Sequence, residues 1–239
     1  MKKLLKSGFV QKAFTAILLL TAAAHLSMGP AKTRPDEERG HRKTEVEKGS
    51  RKKAKSKPGH VNGFSLDEIV GTVNAIQANP AIAQFEFRVS NKWIKGGHNR
   101  SWIQGFYGGG QEDNSRKKPF VYDNSEPPIL LGANEGANPV EYILHGLAGC
   151  MTTTMVLHAA ANGINIDSVE SKLEGDLDVQ GFLGLNDQVR NGYQQIRVTF
   201  TVEGDLTQEE KMKLESFVQK SPVFDIVTNK VPVQVALQF

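Results

Sequence analysis

The sequence predicts an α+β fold in which antiparallel strands surround one long buried helix. Three observations lead there. Strand-like segments joined by glycine turns occupy most of residues 84–131. One apolar helical run then extends from Pro139 to Ala161. A strand pair, a second helix and a last alternating strand follow it. Strands that arrive in hairpins, with few helices between them, favour α+β over layered βαβ units. No internal repeat interrupts that order.

The elements follow in order. Ser65 and Glu68 are spaced as a capping box, opening a helix with Ile69, Val73 and Ile76 on one face. Asn79-Pro80 stops it. Gln84 to Lys95 alternates through Phe85, Phe87 and Val89, which predicts a half-buried strand. Gly96-Gly97 is a turn, Ser101 to Tyr107 the returning strand, and Gly108 to Gly110 its end. Residues 111–118 are polar and expected to be a loop. Pro119 to Tyr122 and Ile129 to Leu131 are expected to be short extended pieces.

Asn138 is placed to cap the central helix, Pro139 fits its first turn and Glu141 its third position. The run is apolar almost all round, so burial on every side is expected. Gly163 closes it in the left-handed conformation. Gly146 and Gly149 weaken the helix, and close approach of another backbone would compensate. Val169 to Val179 and Gln194 to Glu203 are strands. Thr207 and Glu210 form a second capping box, opening a helix to Lys220 with Met212, Phe217 and Val218 turned inward. Ser221-Pro222 starts a short helix that closes near Asn229. Val231 to Phe239 alternates as a final strand.

Charge divides the 239 residues into two parts. Residues 1–59 hold 15 Lys/Arg and 5 Asp/Glu, a balance of +10. The rest holds 14 and 21, a balance of −7. The folded body is therefore acidic and unsuited to nucleic acid, whose phosphates need clustered cations. Within the tail, residues 1–24 combine a basic start with the apolar stretch Ala13 to Ala24. That is short for a membrane span and reads as a cleaved secretory signal, or an apolar N-terminal segment. Export to the periplasm or the exterior follows from cleavage; the alternative is a cytoplasmic protein. Residues 25–59 carry too little apolar surface to offset their ordering entropy and read as a disordered basic linker. Its basic residues suit weak contact with an anionic membrane surface. The folded domain is then 60–239.

Cys150 is the single cysteine, which excludes an internal disulfide and any multi-cysteine metal site. The run from Asn138-Pro139 and Glu141 to Cys150, then Gly163-Ile164, Leu173–Asp178 with Gly181-Phe182, Ile196–Asp205, Ser221–Asp225 and Thr228–Val233 form an ordered set. In order and spacing they resemble the OsmC/Ohr family of osmotically induced and organic hydroperoxide resistance proteins, over about residues 84–239. The resemblance implies an OsmC-like intertwined homodimer, with helices between sheets and sites at the subunit interface. It also implies peroxiredoxin-like thiol chemistry in oxidative stress, with a cysteine on the central helix attacking a peroxide and a second cysteine before a proline resolving it.

On that pattern Cys150 is the nucleophile and Ser221 occupies the resolving position. Serine keeps a capping hydrogen bond but has no redox chemistry, so the chain departs from the family there. The family's glutamate follows Asn-Pro directly, a place taken here by Val140. Glu141 is about 100° further round and serves as cap or substitute acid. The resemblance also implies a thiolate-activating arginine from the N-terminal strands, for which Arg88, Arg100 and Arg116 are the candidates and Arg100, in a plausible turn, is the one singled out. Against all this stands the plain reading of Cys150 as a small core hydrophobe among Ile143, Leu147, Met151 and Leu157. Cys150 is mid-helix, where the dipole helps little, and apolar neighbours disfavour a thiolate.

No cofactor is expected. A metal site from Glu141, His145 and His158 is disfavoured, because His145 and His158 stand about 20 Å apart along a helix. A serine hydrolase is excluded because Ser221 precedes a proline, with no nucleophile elbow around it. Three readings follow. One is a one-cysteine peroxidase for organic or small hydroperoxides that uses an external thiol reductant. Another is a non-catalytic homodimer binding a small apolar ligand at its interface. The third is a secreted structural protein tethered by its basic tail.

Overall fold

The computed structural model describes residues 58–239. The apolar segment 1–24 and the basic stretch 25–57 lie outside the described residues. The described residues divide into two compact units, and the larger takes in residues 58–175 and 196–239. It opens with a small hairpin, β1 (His60–Val61) and β2 (Phe64–Ser65), followed by α1 (Leu66–Ala78). The Ser65 side chain accepts the Glu68 N–H, as the capping motif requires. Asn79 ends the helix and caps a 3₁₀ turn over Pro80–Ala83.

Two three-stranded antiparallel sheets follow. One runs β3 (Glu86–Phe87), β6 (Phe106–Gly108), β7 (Gln111–Asp113). The other runs β4 (Ser90–Lys95), β5 (His98–Ile103), β8 (Phe120–Asn124). In the second, Lys92 faces Arg100, and Arg100 faces Asp123. A 3₁₀ turn at Pro128–Leu130 then leads to α2 (Pro139–Ala161). The approach to α2 is tight. A Cβ on Gly132 would lie 1.8 Å from the Glu126 carbonyl oxygen, and one on Gly136 2.0 Å from that of Asp123. At its start, the Asn138 side chain accepts the Val140 N–H and Glu141 accepts the Asn138 N–H at 2.8 Å. Both halves of the capping box are made, and Gly163 closes the helix with φ +71.

After α2 come β9 (Ser168–Asp176) and β10 (Gln195–Glu203), hydrogen-bonded as a ribbon. The Asp167 N–H donates to the Glu203 carbonyl, so the pair runs antiparallel. Then α4 (Gln208–Val218) and α5 (Pro222–Thr228) complete the order. The core lies where α2 meets α4: Met155, Ala159, Ile164, Leu214 and Phe217 are buried, with Phe200 and Val202 of β10 packed on them. A buried leucine or phenylalanine there contributes about 1.5–3 kcal/mol.

Among the described residues the second unit is 176–195. It holds α3 (Val179–Phe182), capped by Asp178 accepting the Gln180 N–H. Gly181 sits so close to the carbonyls of Val189 and Arg190 that a Cβ would fall 2.5 Å from each oxygen.

Several expectations need correction. The strand over 84–95 is broken at Arg88-Val89 into β3 and β4, which join different sheets. Its apolar face is open rather than half-buried, with Phe85, Phe87 and Val89 all exposed. Residues 101–107 likewise split between β5 and β6 at Gln104-Gly105. Residues 111–113 form a strand because Gly109 and Gly110, both with positive φ, turn the chain back onto β6. Ile129 to Leu131 is a 3₁₀ turn, not extended, ended by Leu131 at φ +66. The strand from Val169 ends at Asp176, and Val179 opens α3 instead. Met212 faces out, and Leu214 takes the inward place. Val231 to Phe239 forms no strand; its alternating side chains are exposed because no strand edge of this chain pairs with it. The helix α2 is buried along one face only, through Leu147, Met151, Met155 and Ala159, with Ala160 near its end.

Candidate functional site

Cys150 stands two turns into α2 beyond Tyr142, between buried Leu147 and Met151 and the open side of the helix. It is half-buried and reduced. The open side is unusually bare. No heavy atom lies within 4 Å of where a Cβ would sit on Gly146 or Gly149, and Ile143 is 48% exposed. A small molecule or another chain therefore has access to the helix face beside the thiol. Among the described residues no hydrogen bond reaches the Cys150 sulfur.

Ser221 is the N-cap of α5, and its hydroxyl accepts the Phe224 N–H at 3.2 Å. It is fully buried, at 0% exposure. Serine there does the work of a cap in a place water does not reach. It offers no thiol to an oxidised Cys150.

The three arginine candidates are engaged elsewhere within the chain. Arg100 donates through Nε to Asp123 Oδ1 at 2.8 Å and through Nη2 to Oδ2 at 3.1 Å. Arg88 bonds Glu86 through Nε and forms a two-pronged pair with Glu112. Both guanidiniums are held further toward the charged form by these carboxylates. Arg116 lies over the rings of Phe106 and Phe120, at 5.0 and 5.4 Å, and donates to the Gln104 carbonyl. Glu141 is occupied as the cap of α2.

His145 projects from the exposed side of α2, whereas His158 stacks on Phe217 with ring centroids 5.3 Å apart. Burial, and then the Lys220 charge, hold the His158 imidazole below its usual range. The two histidines thus belong to different surroundings. Among the described residues no three His, Cys, Asp or Glu side chains gather as a metal cage.

One polar cluster escaped the sequence reading. His98 and Arg100 share one face of β5 and both meet Asp123 Oδ1 at 2.8 Å. Ser125, 1% exposed, donates to Glu135 at 2.6 Å. The period-two spacing of His98 and Arg100 was the available signal, once that segment is read as strand rather than turn. A cleft of about 470 Å³ also opens between Arg88, Trp102 and Pro119, and neither Cys150 nor Ser221 lines it.

A family profile described as OsmC-like protein matches residues 132–236, a range that holds Cys150, Ser221 and helices α2 to α5. Residues 132–236 are therefore an OsmC-like segment. No curated protein matches it. Among solved structures, an OsmC-like protein from Mycoplasma pneumoniae is 17% identical, with a TM-score of 0.45 over 60% of this chain and 87% of that one. The organic hydroperoxide resistance protein OsmC from Legionella pneumophila is 16% identical, with a TM-score of 0.44 over 61% and 90%. The organic hydroperoxide resistance protein OhrB of Bacillus subtilis is 21% identical, with a TM-score of 0.34 over 57% and 85%. The matched segment holds Cys150 on α2 and Ser221 as the cap of α5.

Proposed function

We propose that this OsmC-like chain is a one-cysteine peroxidase that reduces organic or small hydroperoxides at Cys150 and is recycled by an external thiol. The observation that carries it is the pairing of an accessible thiol on α2 with a fully buried serine at the second position. The Cys150 thiolate attacks one peroxide oxygen, the O–O bond breaks, and an alcohol or water leaves with the second oxygen. Sulfur is oxidised to sulfenic acid and the peroxide is reduced. An outside thiol then attacks the sulfenic sulfur, expelling water and forming a mixed disulfide. A second equivalent of that thiol releases Cys150 reduced, leaving the external disulfide.

A homodimer is part of this proposal. Ile143, Gly146, Gly149 and Thr153 leave the helix face beside Cys150 uncovered in one chain, and a second copy would close the site. Arg100 then acts on the thiolate only if assembly draws it from Asp123 or brings a second copy's helix to it.

The test is the rate of Cys150 oxidation by cumene hydroperoxide and hydrogen peroxide, with dimedone trapping read by mass spectrometry and Cys150→Ser as control. Oxidation far faster than a free thiol, with sulfenic acid trapped at Cys150, supports the reading. A rate equal to that of an ordinary thiol sinks it. The second reading, a non-catalytic homodimer holding a small apolar ligand at its interface, is favoured by one observation: all three candidate arginines are engaged away from the thiol within the chain.

A further inference from the structure

The junction of the β4–β5 hairpin with the loop that opens α2 holds a histidine between two carboxylates. His98 Nε2 is 2.8 Å from Asp123 Oδ1, and Nδ1 is 4.0 Å from Glu135 Oε1. The imidazole is 12% exposed. Asp123 ends β8, and Glu135 belongs to the loop between β8 and α2. The charged and titratable groups around it come from every neighbouring element. Arg100 of β5 bonds Asp123, and Lys95 of β4 lies 3.6 Å from Glu135 Oε1. Glu126 crowds Gly97 and accepts from the Asn138 amide. Tyr142 of α2 donates its hydroxyl to the Asp123 carbonyl at 2.9 Å.

We propose that His98 is a pH-responsive latch that fastens the β4–β5 hairpin to the 124–138 loop, and through it to the first turn of α2. The reason is the donor inventory. A neutral imidazole has one N–H and serves one of the two flanking carboxylates; a protonated one has two and serves both. The Asp123 bond then becomes charge-assisted, and the 4.0 Å approach to Glu135 becomes an ion pair. Asp123 is held below its usual range by Arg100 and then His98, and Glu135 by the Ser125 hydroxyl, so both carboxylates stay ionised in weak acid. Of the side-chain types gathered here, only histidine ordinarily changes charge between pH 5 and 8. The latch is fastened when the imidazole is protonated and loosened when it is neutral.

The loop is built to pass this on. The Ser125 N–H donates to the Ala137 carbonyl and the Asn134 N–H to that of Glu126, each at 3.2 Å. Gly132 and Gly136 press against the Glu126 and Asp123 carbonyls. A change at Glu135 therefore reaches Asn138, the cap of the helix that carries Cys150.

The test is amide hydrogen exchange by mass spectrometry on the full chain at pH 5.5 and 8.0, with rates corrected for intrinsic exchange. Peptides over 124–138 gain about fivefold protection at pH 5.5, the factor that a modest coupling produces. His98→Gln loses this pH response, and Glu135→Gln reduces it while leaving the Asp123 bond. Equal protection at both pH values in the unmodified chain overturns the proposal, as does an undiminished pH response in His98→Gln. Should that variant fail to fold, an unaltered response in Glu135→Gln overturns it equally. None of these readouts depends on Cys150 chemistry.

Discussion

Replacing Ser221 with alanine separates a cap from a catalytic group. The Ser221 hydroxyl accepts the Phe224 N–H at 3.2 Å in a fully buried setting. Removing an N-cap costs about 0.5–2 kcal/mol. A buried donor left unpaired costs about 1–3 kcal/mol. These describe one loss rather than two, so Ser221→Ala should cost about 2 kcal/mol, the upper end for a cap. For a domain of this size that lowers Tm by about 4–8 °C. Thr207 provides the internal comparison. It makes the same kind of bond to the Glu210 N–H but is exposed, so water replaces the hydroxyl and Thr207→Ala should cost about 0.5–1 kcal/mol. Equilibrium urea denaturation of the two variants measures the difference. Two results refute the reasoning. One is equal destabilisation, which means burial adds nothing at Ser221. The other is a lowered rate of Cys150 oxidation in folded Ser221→Ala, which makes the serine part of the chemistry.

The remaining predictions follow from the same coordinates. Gly136→Ala forces a Cβ to 2.0 Å from the Asp123 carbonyl oxygen and should lose more than about 3 kcal/mol in a urea titration. Gly146→Ala meets open space within one chain and gains about 1 kcal/mol of helix propensity. If a second copy packs there, the same change weakens the dimer in sedimentation, and an unchanged dimer argues that this face is not the interface. Asp123 has its folded value depressed by Arg100 and His98, so its stabilisation is present above the ordinary aspartate range and lost as pH falls through the folded value. Asp123→Asn should accordingly flatten the decline of the urea midpoint below about pH 4. His158 is depressed by burial and is preferred neutral, so its contribution is complete above about pH 6.5 and erodes as pH falls below it. His158→Gln should remove that part of the pH dependence.

Local signals were read well where a few neighbouring residues decide the outcome. The caps at Ser65, Asn138, Thr207 and Ser221 each accept a backbone N–H as their spacing predicts. Gly163 ends α2 because a left-handed residue is needed there, and Asn79-Pro80 ends α1. The OsmC-like match over residues 132–236 and the α+β class were legible because they rest on segments in a fixed order along the chain.

Long-range pairing was not legible. The alternation through Phe85, Phe87 and Val89 lapses at Ser90 to Lys92, but no glycine or proline marks the break that sends Phe87 and Ser90 to different sheets. Val231 to Phe239 has a strand pattern but finds no edge in its own chain. Periodicity declared α2 apolar all round; the fold decided that Met155 and Ala159 meet Leu214 and Phe217, whereas Gly146 and Gly149 meet nothing. Arg100 read as a candidate for the thiol, yet its partner is Asp123, 23 residues away on β8. By itself the sequence determined where helices start and stop, and which thiol exists, because those depend on residues within a turn or two of one another. Only the tertiary structure decided what each charged side chain touches, because strand register brings together groups that no spacing along the chain connects.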